Sequence, residues 1–163
     1  MLGRYNVLFL CTGNSARSIM AEAILNRKGQ PTFAAYSAGS SAAGRVRPEV
    51  LKQLELAHLP TDGLRSKNWD EFSRPEAPKM DFVFTVCDDA AKETCPIWPG
   101  EPMTAHWGIP DPAVVEGTPE EIERAFREAF MILDRRISLL LCLPLSSLEK
   151  LAIQKEIDRI GRE

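Results

Sequence analysis

Nowhere in the 163 residues is there an apolar run long enough to cross a bilayer, which takes about 20 consecutive apolar residues as a helix. The opening stretch, MLGRYNVLFLCTG, lacks the features of a secretory leader: its apolar part is short, and it runs straight into Cys11 and polar residues without a small-residue cleavage site. A cytoplasmic protein with no membrane partner is the expectation. An excess of cations is missing as well. The formal net charge is −3 and the isoelectric point is near 5.5, so neither nucleic acid nor an anionic surface is expected as a partner, and any anion must be captured locally. The GxxxxGKS/T pattern of a nucleotide P-loop does not occur, nor does the CX2C spacing of a zinc site. Internal repeats, low-complexity tracts and linkers are absent too; Pro75 and Pro78 only punctuate a loop. What is present is 44% apolar residues with charges of both signs, the composition of one compact domain over residues 1–163. In a reducing compartment its four cysteines read as catalytic, redox or core thiols and not as staples.

Hydrophobic spacing predicts an alternation of strands and helices. Residues 5–10 and 33–37 read as strands, 81–86 (DFVFTV) as a buried strand ending at Cys87, and 103–107 as a shorter fourth. Helices are expected over 18–27, over 48–56 with Leu51 and Leu54 inward, briefly over 69–72, and from Thr118-Pro119-Glu120-Glu121, a capping box, through Ala125, Ala129, Ile132, Leu133 and Arg136. Ser146-Ser147-Leu148-Glu149 repeats the capping signature, and its helix would carry Leu148, Leu151, Ile157 and Ile160 to a stop at Gly161. This order implies an α/β three-layer sandwich: a four-stranded parallel sheet with helices on both faces and ligands at the carboxyl ends of the strands. Cys11 and Cys87 both fall at those ends.

Directly after the first strand stands Cys11-Thr12-Gly13-Asn14-Ser15-Ala16-Arg17-Ser18. Small residues let the backbone N–H groups of 12–17 curl around a tetrahedral anion, and the following helix adds the positive end of its dipole. Arg17 offers a planar fork that can grip two oxygens. Asn14 tolerates left-handed backbone angles, which so tight a loop demands somewhere. The same donors, with the Ser18 hydroxyl if it points inward, are expected to lower the Cys11 pKa and populate the nucleophilic thiolate.

This loop, together with Asp111-Pro112, resembles the low-molecular-weight tyrosine phosphatase superfamily, in which the aspartate is general acid to the leaving group. Thr85-Val86-Cys87-Asp88, Thr94-Cys95-Pro96 and His106-Trp107-Gly108 before Pro110-Asp111-Pro112 narrow the resemblance to its arsenate reductase branch, over essentially the whole chain. That branch implies that arsenate, a mimic of phosphate, enters the loop and is attacked by Cys11 with help from Asp111. Cys87 then attacks the adduct, arsenite leaves, and a Cys87-Cys95 disulfide is reopened by thioredoxin or by glutathione and glutaredoxin, with no bound cofactor. If 87–95 were one continuous helix, a rise of 1.5 Å per residue would put the two Cα atoms about 12 Å apart, whereas a disulfide needs less than about 7 Å. Residues 88–94 are read as helical and must then unwind or fold back during turnover. The segment between these cysteines is one residue longer than in thioredoxin-coupled members, which leaves both reductants open.

The phosphatases of this superfamily place two tyrosines after the Asp-Pro to wall an aryl cleft; here Ala113-Val114-Val115 follows. Some reductases hold a potassium ion through Asn, Glu, Ser and Asp. Asn14, Glu22 and Ser37 match, but Arg65-Ser66-Lys67 stands where the acid would be, so no metal is expected, and Lys67 either replaces the cation or is an exposed loop lysine. Cys142, in the apolar run 139–145, reads as a packed core thiol, His58 as a solvated or capping residue, His106 as a strand-end histidine fixed by a backbone bond, and Trp98 and Trp107 as packing beneath the loop. Three activities stay open: arsenate reduction, phosphate-ester hydrolysis by Cys11, Arg17 and Asp111, and non-enzymatic sensing of an oxyanion or of redox state.

Overall fold

Val7 and Phe9 point to one face of a sheet and Leu8 and Leu10 to the other, and all four are fully buried; a strand covered on both faces belongs at a sheet centre. The computed structural model, which describes residues 4–87 and 98–163, places that strand, β1 (Tyr5–Leu10), between β2 (Phe33–Ala38) and β3 (Phe82–Thr85), with β4 (Met103–His106) outside β3. All three pairings are parallel. The reading of 88–94 as a helix and the position of Cys95 lie outside the described residues. None of the described helices is long and apolar enough to cross a membrane.

Parallel neighbours need crossovers: α1 (Arg17–Lys28) joins β1 to β2 and α2 (Pro48–Leu56) lies between β2 and β3, while α3 (Pro119–Leu141) and α4 (Lys150–Ile160) follow β4, and three short 3-10 turns complete the elements among the described residues. Residues from each of these four described helices pack with Val7, Phe9, Phe82 and Phe84 into one large cluster. Its centre is Trp107, fully buried and stacked on Phe84 with ring centroids 4.0 Å apart. The indole N–H donates to the Ile157 carbonyl at 2.9 Å, so the ring is satisfied as well as buried. On the opposite face Leu8, Leu10 and Val83 meet Phe72, from the 3-10 turn Trp69–Phe72, and Trp98.

Several expectations need correction. The capping box at Thr118 forms, its hydroxyl accepting from the Glu121 N–H at 3.2 Å, but the one at Ser146 does not. Leu145–Ser147 is a 3-10 turn, Leu148 is extended, and α4 begins at Lys150 with Glu149 as its cap. Leu151 is therefore exposed, and Ile153, Ile157 and Ile160 face inward. In α2 the inward positions are Val50, Gln53 and Leu54, with Leu51 only half-buried. Helix α3 runs on to Leu141, and Cys142, its C-cap, is exposed and not a core thiol. The buried stripe of α3 is Leu133, Ile137 and Leu140, and a residue two beyond Leu140 turns away from it. His58 is exposed with φ 59°, one residue past the α2 cap. The exposed His106 bonds through Nδ1 to the Thr85 hydroxyl at 2.8 Å.

Candidate active site

The register that pairs Leu10 with Ala38 and with Thr85 brings the chain leaving β1 and the chain leaving β3 to the same edge of the sheet. There residues 11–16 turn directly into α1. The loop is shaped by its carbonyls: those of Thr12, Gly13 and Ser15 accept from the N–H groups of Ser41, Ala43 and Arg47 at 3.0, 2.8 and 3.1 Å. In a trans peptide the N–H points opposite to the C=O, so turning these carbonyls outward turns the N–H groups of Gly13, Asn14 and Ala16 inward. Asn14 supplies the left-handed residue, at φ 44°. Ala16, at the N-cap of α1, offers no side-chain cap, which leaves the helix's positive end open to an anion.

Arg17 opens α1. Its Nη1 donates to the Ile109 carbonyl at 2.9 Å and its Nη2 lies 3.4 Å from Asp111 Oδ2. The side chain is only 11% exposed, and Nε is buried with no partner among the described residues, so the guanidinium has donor capacity left over beside the loop. Asp111 is held by the Ala113 N–H, which donates to Oδ1 at 2.9 Å. The strand-to-turn segment before it is pinned from α3: Arg136, buried, donates to the carbonyls of Trp107 and Gly108 at 2.7 and 3.2 Å. Val114, 71% exposed, follows where an aryl-binding wall would stand.

Cys11 and Cys87 are both buried. The Thr12 N–H points at Cys87 Sγ at 3.4 Å, and the Cys87 thiol shares a hydrogen bond with Cys11. That contact, and then burial, push the Cys11 thiol far above its ordinary range, against the lowering pull of Arg17 and the Gly13 N–H. The expected lowering of the Cys11 pKa is thus reversed: with two thiols sharing one buried site, Cys11 keeps its proton. Ser18, fully buried, has its Oγ accepting from Asn14 Nδ2 at 2.8 Å. One consequence can be measured. Substituting alanine for Cys87 removes the largest upward influence, so the pH profile for iodoacetamide alkylation of Cys11 is expected to move to lower pH, read by peptide mass spectrometry to separate Cys11 from the exposed Cys142. An unchanged profile would show that Cys87 does not hold the Cys11 proton.

Lys67, read as either a cation replacement or an exposed loop residue, is buried. Its Nζ lies 2.8 Å from the Arg65 carbonyl, 3.4 Å from Ser37 Oγ and 3.7 Å from Glu22 Oε1. A further contributor, Gly39, gave no signal beyond that of a strand terminator. A β-carbon there would collide with the carbonyls of Cys11 and Thr12, so only glycine lets β2 close against the loop. Among the described residues no group of three His, Cys, Asp or Glu is placed to hold a metal ion.

A parallel sheet with a cysteine-arginine turn at the head of its first helix defines an α/β enzyme built around an anion-cradling loop. The chain belongs to the low molecular weight phosphotyrosine protein phosphatase family, whose model matches residues 6–156. Its relatives include arsenate reductases. That of Oceanobacillus iheyensis is 36% identical over 122 residues, covering 75% of this chain and 84% of its own. That of Halalkalibacterium halodurans is 36% identical over 131 residues, covering 80% and 91%. The crystal structure of an arsenate reductase from Archaeoglobus fulgidus superposes with a TM-score of 0.65 at 28% identity, covering 83% of this chain and 98% of that one. These relatives support arsenate reduction in broad terms.

Proposed function

We propose that this chain reduces arsenate to arsenite, with Cys11 as nucleophile in the oxyanion loop of residues 12–17, Arg17 as clamp, Asp111 as acid, and Cys87 and Cys95 as a disulfide shuttle. The observation that carries this reading is the contact between two buried cysteines, Cys11 and Cys87, beside one anion-cradling loop. Hydrolysis has no use for the second thiol; reduction requires it.

The steps balance without an outside oxidant. The Cys11 thiol displaces water from the dihydrogen arsenate monoanion, forming a sulfur–arsenic bond in an adduct that keeps the other three arsenate oxygens, one proton and the single negative charge. The water takes its oxygen and one proton from arsenate and its second proton from the thiol, with Asp111 assisting the transfer. A thiol that keeps its proton until substrate arrives suits this step, since the incoming anion takes that proton. The Cys87 thiol then attacks the Cys11 sulfur. The sulfur–arsenic bond breaks and its electron pair reduces As(V) to As(III). Arsenite, carrying the Cys87 proton, leaves as its dihydrogen monoanion, and a Cys11–Cys87 disulfide remains. Exchange with the Cys95 thiol moves the disulfide to Cys87–Cys95 and returns the Cys11 thiol, and an external dithiol such as thioredoxin, or glutathione with glutaredoxin, reopens it. No resident cofactor takes part.

Membership of a phosphatase family favours a second reading, hydrolysis of phosphate monoesters through a Cys11 phosphocysteine, for which Arg17 and Asp111 suffice. Against it stands the exposed Val114 after the Asp-Pro, which gives a phosphotyrosine ring no wall. Side-by-side rates decide: turnover of arsenate with a thioredoxin system is expected to exceed hydrolysis of an aryl phosphate, and the opposite ranking would replace reduction with hydrolysis.

A further inference from the structure

We infer that the Lys67 ammonium is a built-in counter-cation of the oxyanion loop: it neutralises Glu22, which Ser37 links to the Asn14 turn on which anion binding depends. The inference rests on the loop's being an anion site, as proposed above. It makes Lys67 a positioning residue, since nothing places its amine on the anion itself.

The network admits one assignment of protons. Ser37 Oγ donates to Glu22 Oε1 at 2.5 Å and accepts from Asn14 Nδ2 at 3.0 Å and from Lys67 Nζ at 3.4 Å, which uses its single donor and both lone pairs. Asn14 Oδ1 accepts from the Lys67 backbone N–H at 2.8 Å, and Asn14 Nδ2 also reaches Ser18 Oγ at 2.8 Å. Asn14, Ser18 and Ser37 are fully buried. Every polar atom of the Asn14 side chain is thereby tied down at the one residue of the loop in a left-handed conformation. The segment carrying Lys67 is stitched to the loop elsewhere too: its carbonyl accepts from the Gly39 N–H at 3.0 Å, and the Ser66 hydroxyl donates to the Gly13 carbonyl at 3.3 Å.

Electrostatics make the pair necessary. The Lys67 and Glu22 side chains are 7% and 14% exposed. Burial pushes Glu22 up and Lys67 down, each countered by the other's charge. A lone Glu22 carboxylate would put a negative charge under a loop built to receive an anion, and a buried ion stripped of its partner is costly. A monovalent metal ion held by Asn14, Glu22 and Ser37, as in some related reductases, does not fit here. Nζ already stands among the Glu22, Ser37 and Arg65 oxygens, and Asn14 Oδ1 is committed to the Lys67 backbone.

The test is titration of inorganic phosphate by calorimetry in choline, sodium, potassium and ammonium chlorides at matched ionic strength, with far-UV circular dichroism to confirm folding. The unaltered chain is expected to bind phosphate equally in all four salts. Lys67→Ala, which opens a space and bares Glu22, should lose about tenfold or more in choline and regain most of it in potassium or ammonium. Lys67→Met, which fills the space, should lose as much and regain nothing. Glu22→Gln with Lys67→Met, neutral throughout, should bind close to the unaltered chain in every salt, and it reports even if a single variant fails to fold. Wild-type affinity of Lys67→Ala in choline would overturn the inference. So would a loss restored neither by cations nor by the double substitution, which would reduce Lys67 to packing. An unaltered chain that binds no phosphate would instead remove the loop reading itself, and this inference with it.

Discussion

Replacing Cys87 with serine is expected to abolish multiple-turnover arsenate reduction, by about 10³-fold or more, while leaving phosphate affinity within a few-fold. Serine keeps the size of the side chain and a hydroxyl that can accept from the Thr12 N–H, the bond now made to Cys87 Sγ at 3.4 Å. The loop and Arg17 are untouched, so binding persists. Turnover does not, because an alkoxide cannot take a sulfur from the adduct to form a disulfide and thereby leave an electron pair on arsenic. The separation of binding from turnover is the signature. A fall in both would mean that Cys87 only supports the loop, and full turnover would exclude the shuttle.

Exchanging Arg17 for lysine should be nearly as damaging and fail differently. The guanidinium spans the Ile109 carbonyl at 2.9 Å and Asp111 at 3.4 Å while retaining an Nε with no partner among the described residues, a fork that an ammonium cannot reproduce. Phosphate affinity is expected to fall about 10–100-fold and arsenate turnover about 10²–10³-fold, the loss usual for a missing oxyanion donor. Asp111 would also lose the partner that orients it. Calorimetry and the coupled assay together check this; lysine supporting turnover within a few-fold would show that charge alone suffices at position 17.

How much of the molecule was legible in its sequence depended on whether the cause was local. The run 5–10, the small residues 12–16 and the apolar spacing after Arg17 announce strand, tight loop and helix without reference to anything distant, and the structure has them there. Thr118 caps its helix for the same local reason, whereas Ser146 does not. Pro144 and the turn closed by the Ser147 N–H onto the Pro144 carbonyl take up the residues that the second capping box needed. The charge state of Cys11 was illegible because its main influence, Cys87, is brought beside it by a strand register that no local pattern encodes. Lys67 showed the same limit: the missing acid could be seen in Arg65-Ser66-Lys67, but not that the ammonium would be buried against Glu22 and Ser37. Cys142 misled because an apolar run was read as core although it outlasts the buried stripe of α3.

The oxidising equivalents of arsenate should end up on Cys87 and Cys95. After the reduced chain is mixed with one equivalent of arsenate without external reductant, acid-quenched and digested under non-reducing conditions, mass spectrometry is predicted to find a peptide pair joined through Cys87 and Cys95, preceded at early times by Cys11–Cys87, with one arsenite released per chain. Release of arsenite with Cys87 and Cys95 still reduced, or no arsenite at all while an aryl phosphate is hydrolysed, would contradict it.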